Sequence, residues 1–279
     1  MIRFCPAGNS DAFYNEVHKR TTEVFSWLDK RGLEAYEYQC TRGVLLKQET
    51  AEAIGVEAAK YGIRLSLHAP YYINLAGTDK QKLEKSYGHI EKSIEAALWM
   101  DAKRVIVHPG GIGKGSRDAA MKRALLVFSD ILKNFKNAEI IAPELMGKVN
   151  QLGNLEEIIR FCNVDDRIIP TIDFGHLNAR TRGGLDSQDA FENVIIKLAD
   201  GIGWERTRKI HIHFSRIEFT EKGGEKRHWS MKDTQYGPDF DDFIPALVKY
   251  CLHPVIISES RGTQAMDARL MKERYLECV

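Results

Sequence analysis

What most constrains this chain is a regular alternation: eight short apolar runs, each followed by a longer amphipathic segment. The runs are Ile2–Cys5, Glu34–Tyr38, Arg64–His68, Arg104–His108, Glu139–Glu144, Ile168–Asp173, Ile210–Phe214 and Val255–Glu259. The helical segments are Asp11–Lys30, Thr50–Tyr61, Asp79–Met100, Ser116–Phe135, Asn154–Phe161, Asp186–Leu198, Asp241–Tyr250 and Met266–Leu276. Strand and helix alternating in this way predict parallel βαβ units. A doubly wound sheet can also hold eight strands. The even spacing, and a length of 279 residues close to the usual ~250, favour closure into one (β/α)8 barrel, a TIM barrel, with residues 1–279 as a single domain. The longest stretch without a predicted element, Ser215 to Pro238, is rich in glycine and charge. A loop that long in a compact domain is usually functional.

Strands three to eight end, in order, in His68, His108, Glu144, Asp173, His213 and Glu259. In a barrel these ends converge on one face, where active sites lie. A single histidine or acid at a strand end is more often solvated than a ligand, but the set behaves differently. Nine histidines and 39 acids make 48 of 279 residues. With about three positions of slack per strand, six hits from six strands have a chance below about one per cent. Such ligands in an open site suit zinc, or manganese where carboxylates dominate. His176, three residues after Asp173, and His228, fifteen after His213, raise the candidates to eight. Eight is too many for one ion and enough for two or three.

Composition removes several other classes. Forty Lys plus Arg against 39 Asp plus Glu leave a formal charge of +1, so any nucleic-acid partner must be held by a local patch. Five scattered cysteines without a Cys-x-x-Cys read as reduced thiols, not a disulfide framework or a cysteine–zinc site. No signal-peptide pattern opens the chain and no apolar run is long enough to span a bilayer. The expectation is a soluble, cytoplasmic monomer.

Taken together, the motifs resemble the endonuclease IV type of zinc-dependent AP endonuclease. The matching pieces are Leu67-His68-Ala-Pro-Tyr71-Tyr-Ile-Asn74-Leu75, Val107-His108-Pro109-Gly110, Glu144, Ile172-Asp173-x-x-His176, His213 with His228, and Glu259. They run collinearly from about residue 60 to residue 260. The resemblance implies a trinuclear zinc centre. His68, His108 and Glu144 would hold one ion, and Glu144 would bridge to a second held also by Asp173, His213 and Glu259. His176 and His228 would hold a third. The family's acid two positions before the last histidine is Lys226 here. Two tightly held metals and a weak or empty third position are therefore expected, with Lys226 standing in by pairing with substrate phosphate. If the loop shifts by one residue, Glu225 reaches the metal instead. The residues after His213 and the first strand also depart from the family pattern.

The activity the resemblance implies is hydrolysis of the phosphodiester 5′ to an abasic site in double-stranded DNA, a DNA-repair reaction leaving a 3′-hydroxyl and a 5′-deoxyribose phosphate. Paired ions would lower the pKa of a water toward ~7 and clamp attacking and leaving oxygens, with Glu144 bridging and Glu259 orienting the water. Tyr71, and secondarily Arg42, would wedge into the stack beside an extruded nucleotide. Rim cations including Lys114, Arg117, Lys148, Arg180, Arg182, Arg216, Lys222, Lys226, Arg227 and Lys232 either track phosphates or form a solvated rim. The rival reading is a sugar isomerase or epimerase of the xylose-isomerase-like barrels, which Glu144, Asp173, His213 and Glu259 also resemble as a single Mn²⁺ site. Such an enzyme has no need of His68, His108 and His228. A barrel that only senses a metal or sugar ranks third.

Overall fold

Eight parallel strands form a ring, as a computed structural model describing residues 1–16 and 18–279 shows. Four of them pair side by side as β2 (Ala35–Gln39), β3 (Arg64–His68), β4 (Val105–Val107) and β5 (Ile141–Pro143). The other four, β6 (Thr171–Asp173), β7 (His211–Phe214), β10 (Val255–Ser258) and β1 (Arg3–Pro6), pair in the order β6-β7-β10-β1. Two isolated parallel bridges, Ala7↔Glu37 and Glu144↔Thr171, join these two leaves into a TIM barrel. The order follows the sequence because each crossover helix returns the chain to a neighbouring strand.

Outside the ring lie α3 (Gln48–Lys60), α4 (Lys80–Trp99), α5 (Arg117–Asn134), α6 (Leu155–Cys162), α8 (Gln188–Ile202), α10 (Ile244–Lys249) and α11 (Gln264–Glu277). Their starts are set by side-chain caps. Asp79 accepts from the Lys82 amide, Ser116 from Ala119, and Asn154 forms a reciprocal capping box with Glu157. Alternation along the strands sends one side chain to the mouth and the next outward. After His213, Phe214 thus joins Phe174, Phe191, Phe240 and Phe243 in a fully buried cluster, its tightest pair, Phe174–Phe243, 4.5 Å between centroids. Losing one such ring costs about 3–5 kcal/mol, so β6 and β7 meet the site from a fixed backing.

The structure departs from the sequence expectations in three places. The segment Asp11–Lys30 is not one helix: α1 (Asp11–Asn15) stops early, and a 3₁₀ turn at Thr21–Glu23 precedes α2 (Val24–Asp29). Glu23 takes hydrogen bonds from the Lys19 and Arg20 amides, a local turn that competes with helix continuation. Two short helices were not foreseen, α7 (Phe174–Arg180) directly after β6 and α9 (Trp204–Thr207). Most consequentially, Ser215 to Pro238 contains an antiparallel hairpin, β8 (Arg216–Thr220) with β9 (Gly224–Trp229). No helix is long and apolar enough to cross a membrane among the described residues.

Candidate metal centre

All eight candidate ligands lie at the C-terminal mouth. Glu144 follows β5 directly and is fully buried at the centre of them. Its Oε2 lies 2.9 Å from His108 Nε2 and 3.3 Å from His68 Nε2, and its Oε1 lies 2.9 Å from His213 Nδ1. His213 Nδ1 is also 3.3 Å from Glu259 Oε1. Ligand atoms of His68, His108 and Glu144 fall within 4.8 Å of one another; so do those of Glu144, Asp173, His213 and Glu259, and those of His176, His228 and Glu259. Glu144 and Glu259 each belong to two groups, which is what bridging carboxylates do.

The imidazoles are pinned by the nitrogen that would not bind metal. His68 Nδ1 lies 2.8 Å from the Ala69 carbonyl, and His176 Nδ1 2.9 Å from the Leu145 carbonyl. A carbonyl only accepts, so Nδ1 carries the proton in each and Nε2 is left as donor to a cation. His213 is turned the other way: its Nε2 donates to Glu37 Oε2 at 3.3 Å and lies 3.1 Å from Oε1, leaving Nδ1 toward Glu144 and Glu259. His228 Nδ1 meets the Ser215 hydroxyl at 2.8 Å, with Nε2 toward Glu225.

Electrostatics point to a missing positive charge. Burial drives the Glu259 carboxyl up to about 8, against the pull of His213 and with the push of Asp173 and Glu144. Burial alone would lower His68 and His176, yet Glu144 for the first, and Asp173 with Glu225 for the second, hold both up to about 9. The cluster without ions thus borrows protons to offset its carboxylates. Glu144 Oε2 and Asp173 Oδ2 are buried without a hydrogen-bond donor, although His108 Nε2 stands 2.9 Å from the former. A nitrogen that close but misdirected for a hydrogen bond is how two ligands converge on a shared ion. Borderline imidazole and carboxylate donors fit zinc or manganese.

Of the two arrangements the sequence left open around Lys226, the hairpin shows the shifted one. A register shift at Glu218/Phe219 pairs Glu218 with Arg227 and Phe219 with Glu225, skipping Lys226. That bulge turns Lys226 outward to Glu218 and Glu225 inward. Glu225 Oε2 lies 3.4 Å from His176 Nε2, and Oε1 3.9 Å from His228 Nε2. Gly147 makes the approach sterically feasible, because a Cβ there would stand 2.7 Å from the Glu225 Cβ. The ammonium expected beside the third position is thus exposed, and a carboxylate takes its place.

Glu37, in mid-β2, was not foreseen. It is fully buried, accepts from Ser66 Oγ and His211 Nε2 at 2.9 Å each, and holds His213. Despite burial, the two histidines keep its carboxyl well below the usual range. The signal was available: His211 and His213 share a face at period two, and an acid between Tyr36 and Tyr38 faces that same interior.

The substrate-facing residues are more dispersed. Tyr71 is 52% exposed at the mouth and packs on Tyr72, equally exposed, with centroids 4.3 Å apart. Arg42 is exposed after β2 beside an open groove. Several rim cations are structural. Arg117 binds Glu157 and the Val149 and Gln151 carbonyls, Arg180 three carbonyls of the β5–α6 loop, and Arg216 Asp239 with two carbonyls. Lys114, Lys148, Lys222, Arg227 and Lys232 pair with no carboxylate among the described residues. Arg227 and Arg261 line a cavity of about 450 Å³ with His228 and Glu259.

Comparison with known proteins extends over most of the chain. The family model described as xylose isomerase-like TIM barrel matches residues 25–274. An uncharacterized protein of Methanocaldococcus jannaschii is 31% identical over 255 residues, covering 90% of each chain. A probable endonuclease 4 of Staphylococcus carnosus is 30% identical over 188 residues, covering 64% of this chain and 62% of that protein. Among solved structures, a D-tagatose 3-epimerase-like protein superposes with a TM-score of 0.74 at 20% identity, covering 99% of this chain and 98% of the other. At that identity the likeness speaks for the fold alone.

Proposed function

Since this chain belongs to the xylose isomerase-like TIM barrel family, we propose that its mouth is the polynuclear metal centre of an endonuclease IV-type phosphodiesterase. It would cleave 5′ to abasic sites in double-stranded DNA and act in DNA repair. The observation that carries this reading is the number of pinned donors. A single-metal sugar epimerase is served by Glu144, Asp173, His213 and Glu259, yet His68, His108, His176, His228 and Glu225 converge beside that set. The similarity to probable endonuclease 4 supports the same reading.

His68, His108 and Glu144 would hold one ion, and Glu144, Asp173, His213 and Glu259 a second. His176, His228 and Glu225 would hold a third, where two neutral imidazoles alone bind weakly. When bound, zinc ions supply charge neutralisation for the phosphodiester and hydroxide at neutral pH. The chain's own residues do the rest. Glu37 aims His213, and the Ala69 and Leu145 carbonyls aim His68 and His176. Glu259 would orient the attacking water through whichever carboxylate oxygen is turned to the cavity, where Arg227 and Arg261 would receive the flanking phosphate. Tyr71, stacked on Tyr72, would fill the space left by an extruded nucleotide, with Arg42 at the far side of the opening.

The test is metal analysis of the purified protein paired with nicking of an abasic duplex. Zinc above one equivalent per chain together with incision 5′ to the lesion is expected. One manganese per chain with epimerisation of a ketose and no incision would overturn the proposal in favour of the sugar enzyme.

A further inference from the structure

At the opposite mouth, where the strands begin, lies a second cavity of about 320 Å³. Its wall is cationic. Arg64 opens β3, Lys103 and Arg104 precede β4, and Lys209 precedes β7. His253 stands before β10, while His211, whose pKa burial lowers, and Ser66 face the cavity with their side chains bonded to Glu37 behind them. No aspartate or glutamate lines it among the described residues. Lys103 and Lys209 have partners outside, Asp101 and Glu205 respectively. Arg64 and Arg104 have none among the described residues: the guanidinium of Arg104 donates only to the Lys103 carbonyl.

The parallel pairing of β3 with β4 brings these two arginines to adjacent strand starts, where the Leu67 amide bonds the Arg104 carbonyl at 2.9 Å. Burial and the neighbouring Arg64 pull Arg104 down to about 10, and burial with Arg3 lowers Arg64. Two such cations repel one another without a counter-charge, and the partly buried Arg104 is the costlier of the two to keep so. A planar guanidinium pair is also the arrangement that grips a tetrahedral oxyanion through paired N–H donors. The strand-start face of a barrel usually reads as structural, and packing alone does not call for this concentration of cations around an open cavity.

We propose that this cavity is a binding site for a phosphate group, either free phosphate or the head of a small phosphomonoester, separate from the metal centre and on the other side of the barrel. Its volume lies at the lower end of small-ligand sites, about 300–1,000 Å³, which suits a small anion rather than a polymer. The cavity lining and the three ligand groups at the mouth share no residue, His211 being linked to them through Glu37, so phosphate binding here is separate from whatever the metal centre hydrolyses.

Calorimetric titration of the metal-loaded protein with inorganic phosphate tests it. A binding event is expected that weakens at least about tenfold in Arg64→Gln/Arg104→Gln while zinc content is unchanged. Phosphate bound at the metal centre is recognised by its loss in Glu259→Ala, which should leave the new event intact. Ribose 5-phosphate in place of phosphate separates the sources: equal or tighter binding supports a monoester head, and no binding supports the free anion. If the double variant fails to fold, Arg64→Gln alone, at an exposed position, should still weaken the event several-fold. Equal stoichiometry and affinity in wild type and variant, or no event beyond the metal centre, would overturn the proposal.

Discussion

Glu225 and Lys226 are consecutive in the chain and face opposite ways: Glu225 lies 3.4 Å from His176 Nε2, while Lys226 is exposed and paired with Glu218. A hairpin bulge makes this division, since the strand partner skips one residue. The charge that a linear reading sets beside the third metal position is thereby reversed in sign.

Metal content follows from that reversal. Three zinc ions per chain should survive mild chelation in the wild type and in Lys226→Ala. Glu225→Ala should retain two, because His176 and His228 alone bind too weakly. Three ions retained in Glu225→Ala would refute the role.

Glu144→Ala and Glu259→Ala should each abolish turnover with the fold intact. Both carboxylates contact imidazoles rather than the aromatic cluster outside the ring, so their loss removes metal rather than packing. More than a few per cent of wild-type cleavage in either variant, with circular dichroism unchanged, would rule that residue out as a shared ligand.

Glu37→Gln should weaken zinc binding by about 10- to 100-fold, the usual effect of disturbing a ligand's outer partner. Glu37 belongs to none of the three ligand groups at the mouth; it holds His213 Nε2 and His211 Nε2, with which it forms a fourth, buried acid–histidine cluster inside the barrel. Competition with a chromophoric chelator measures the change, and an unaltered affinity would leave Glu37 a purely architectural residue.

Without metal, stability should fall as pH rises from about 6.5 to 9. His68 and His176, held up to about 9 against an ordinary 6.5, contribute stability that is complete below 6.5 and lost through 9. Glu259, raised to about 8, acts in the same direction. The lowered His108 and His228 add their effects below 6.5, outside this window. Melting of chelated protein at the two ends of the range should show the decline, and zinc should remove it, because metal replaces the protons. A flat profile in the chelated protein would mean that these imidazoles do not carry the charge.

Tyr71→Ala should weaken binding of an abasic duplex by about 1–3 kcal/mol, by analogy with base–aromatic stacking, with zinc content unchanged. Tyr72, packed on it, should show a smaller loss. Equal affinity at fixed salt would return Tyr71 to a packing role.

Much of this arrangement was legible in the sequence. The run Arg64-Leu-Ser-Leu-His68 forms β3 over those same five residues, and the acids and histidines at the strand ends meet because barrel topology makes them meet. What escaped was non-local. The hairpin's first strand, Arg216-Ile-Glu-Phe-Thr220, does alternate, but it is only five residues long inside a charged loop, and its partner Gly224-Glu-Lys-Arg-His-Trp229 shows no alternation to mark a pairing. Lys226 and Glu225 were told apart only by a bulge, which shifts register without a composition signature. Glu37 carries no motif; the period-two pair His211 and His213 signals an interior acid, but that Glu37 is that acid follows only from the placement of β2 and β7 in one ring. Arg117, Arg180 and Arg216 look like a phosphate track until their carbonyl partners are seen.

The two leaves of the barrel meet at Ala7↔Glu37 and Glu144↔Thr171, and His213, on one leaf, touches Glu37 and Glu144 on the other. The imidazole that would bind metal is therefore also a clasp across both joints of the ring. Ion loading would thus brace both joints of a ring that already closes through its backbone, and a lineage that redesigns its ligands must refit the joints at the same time.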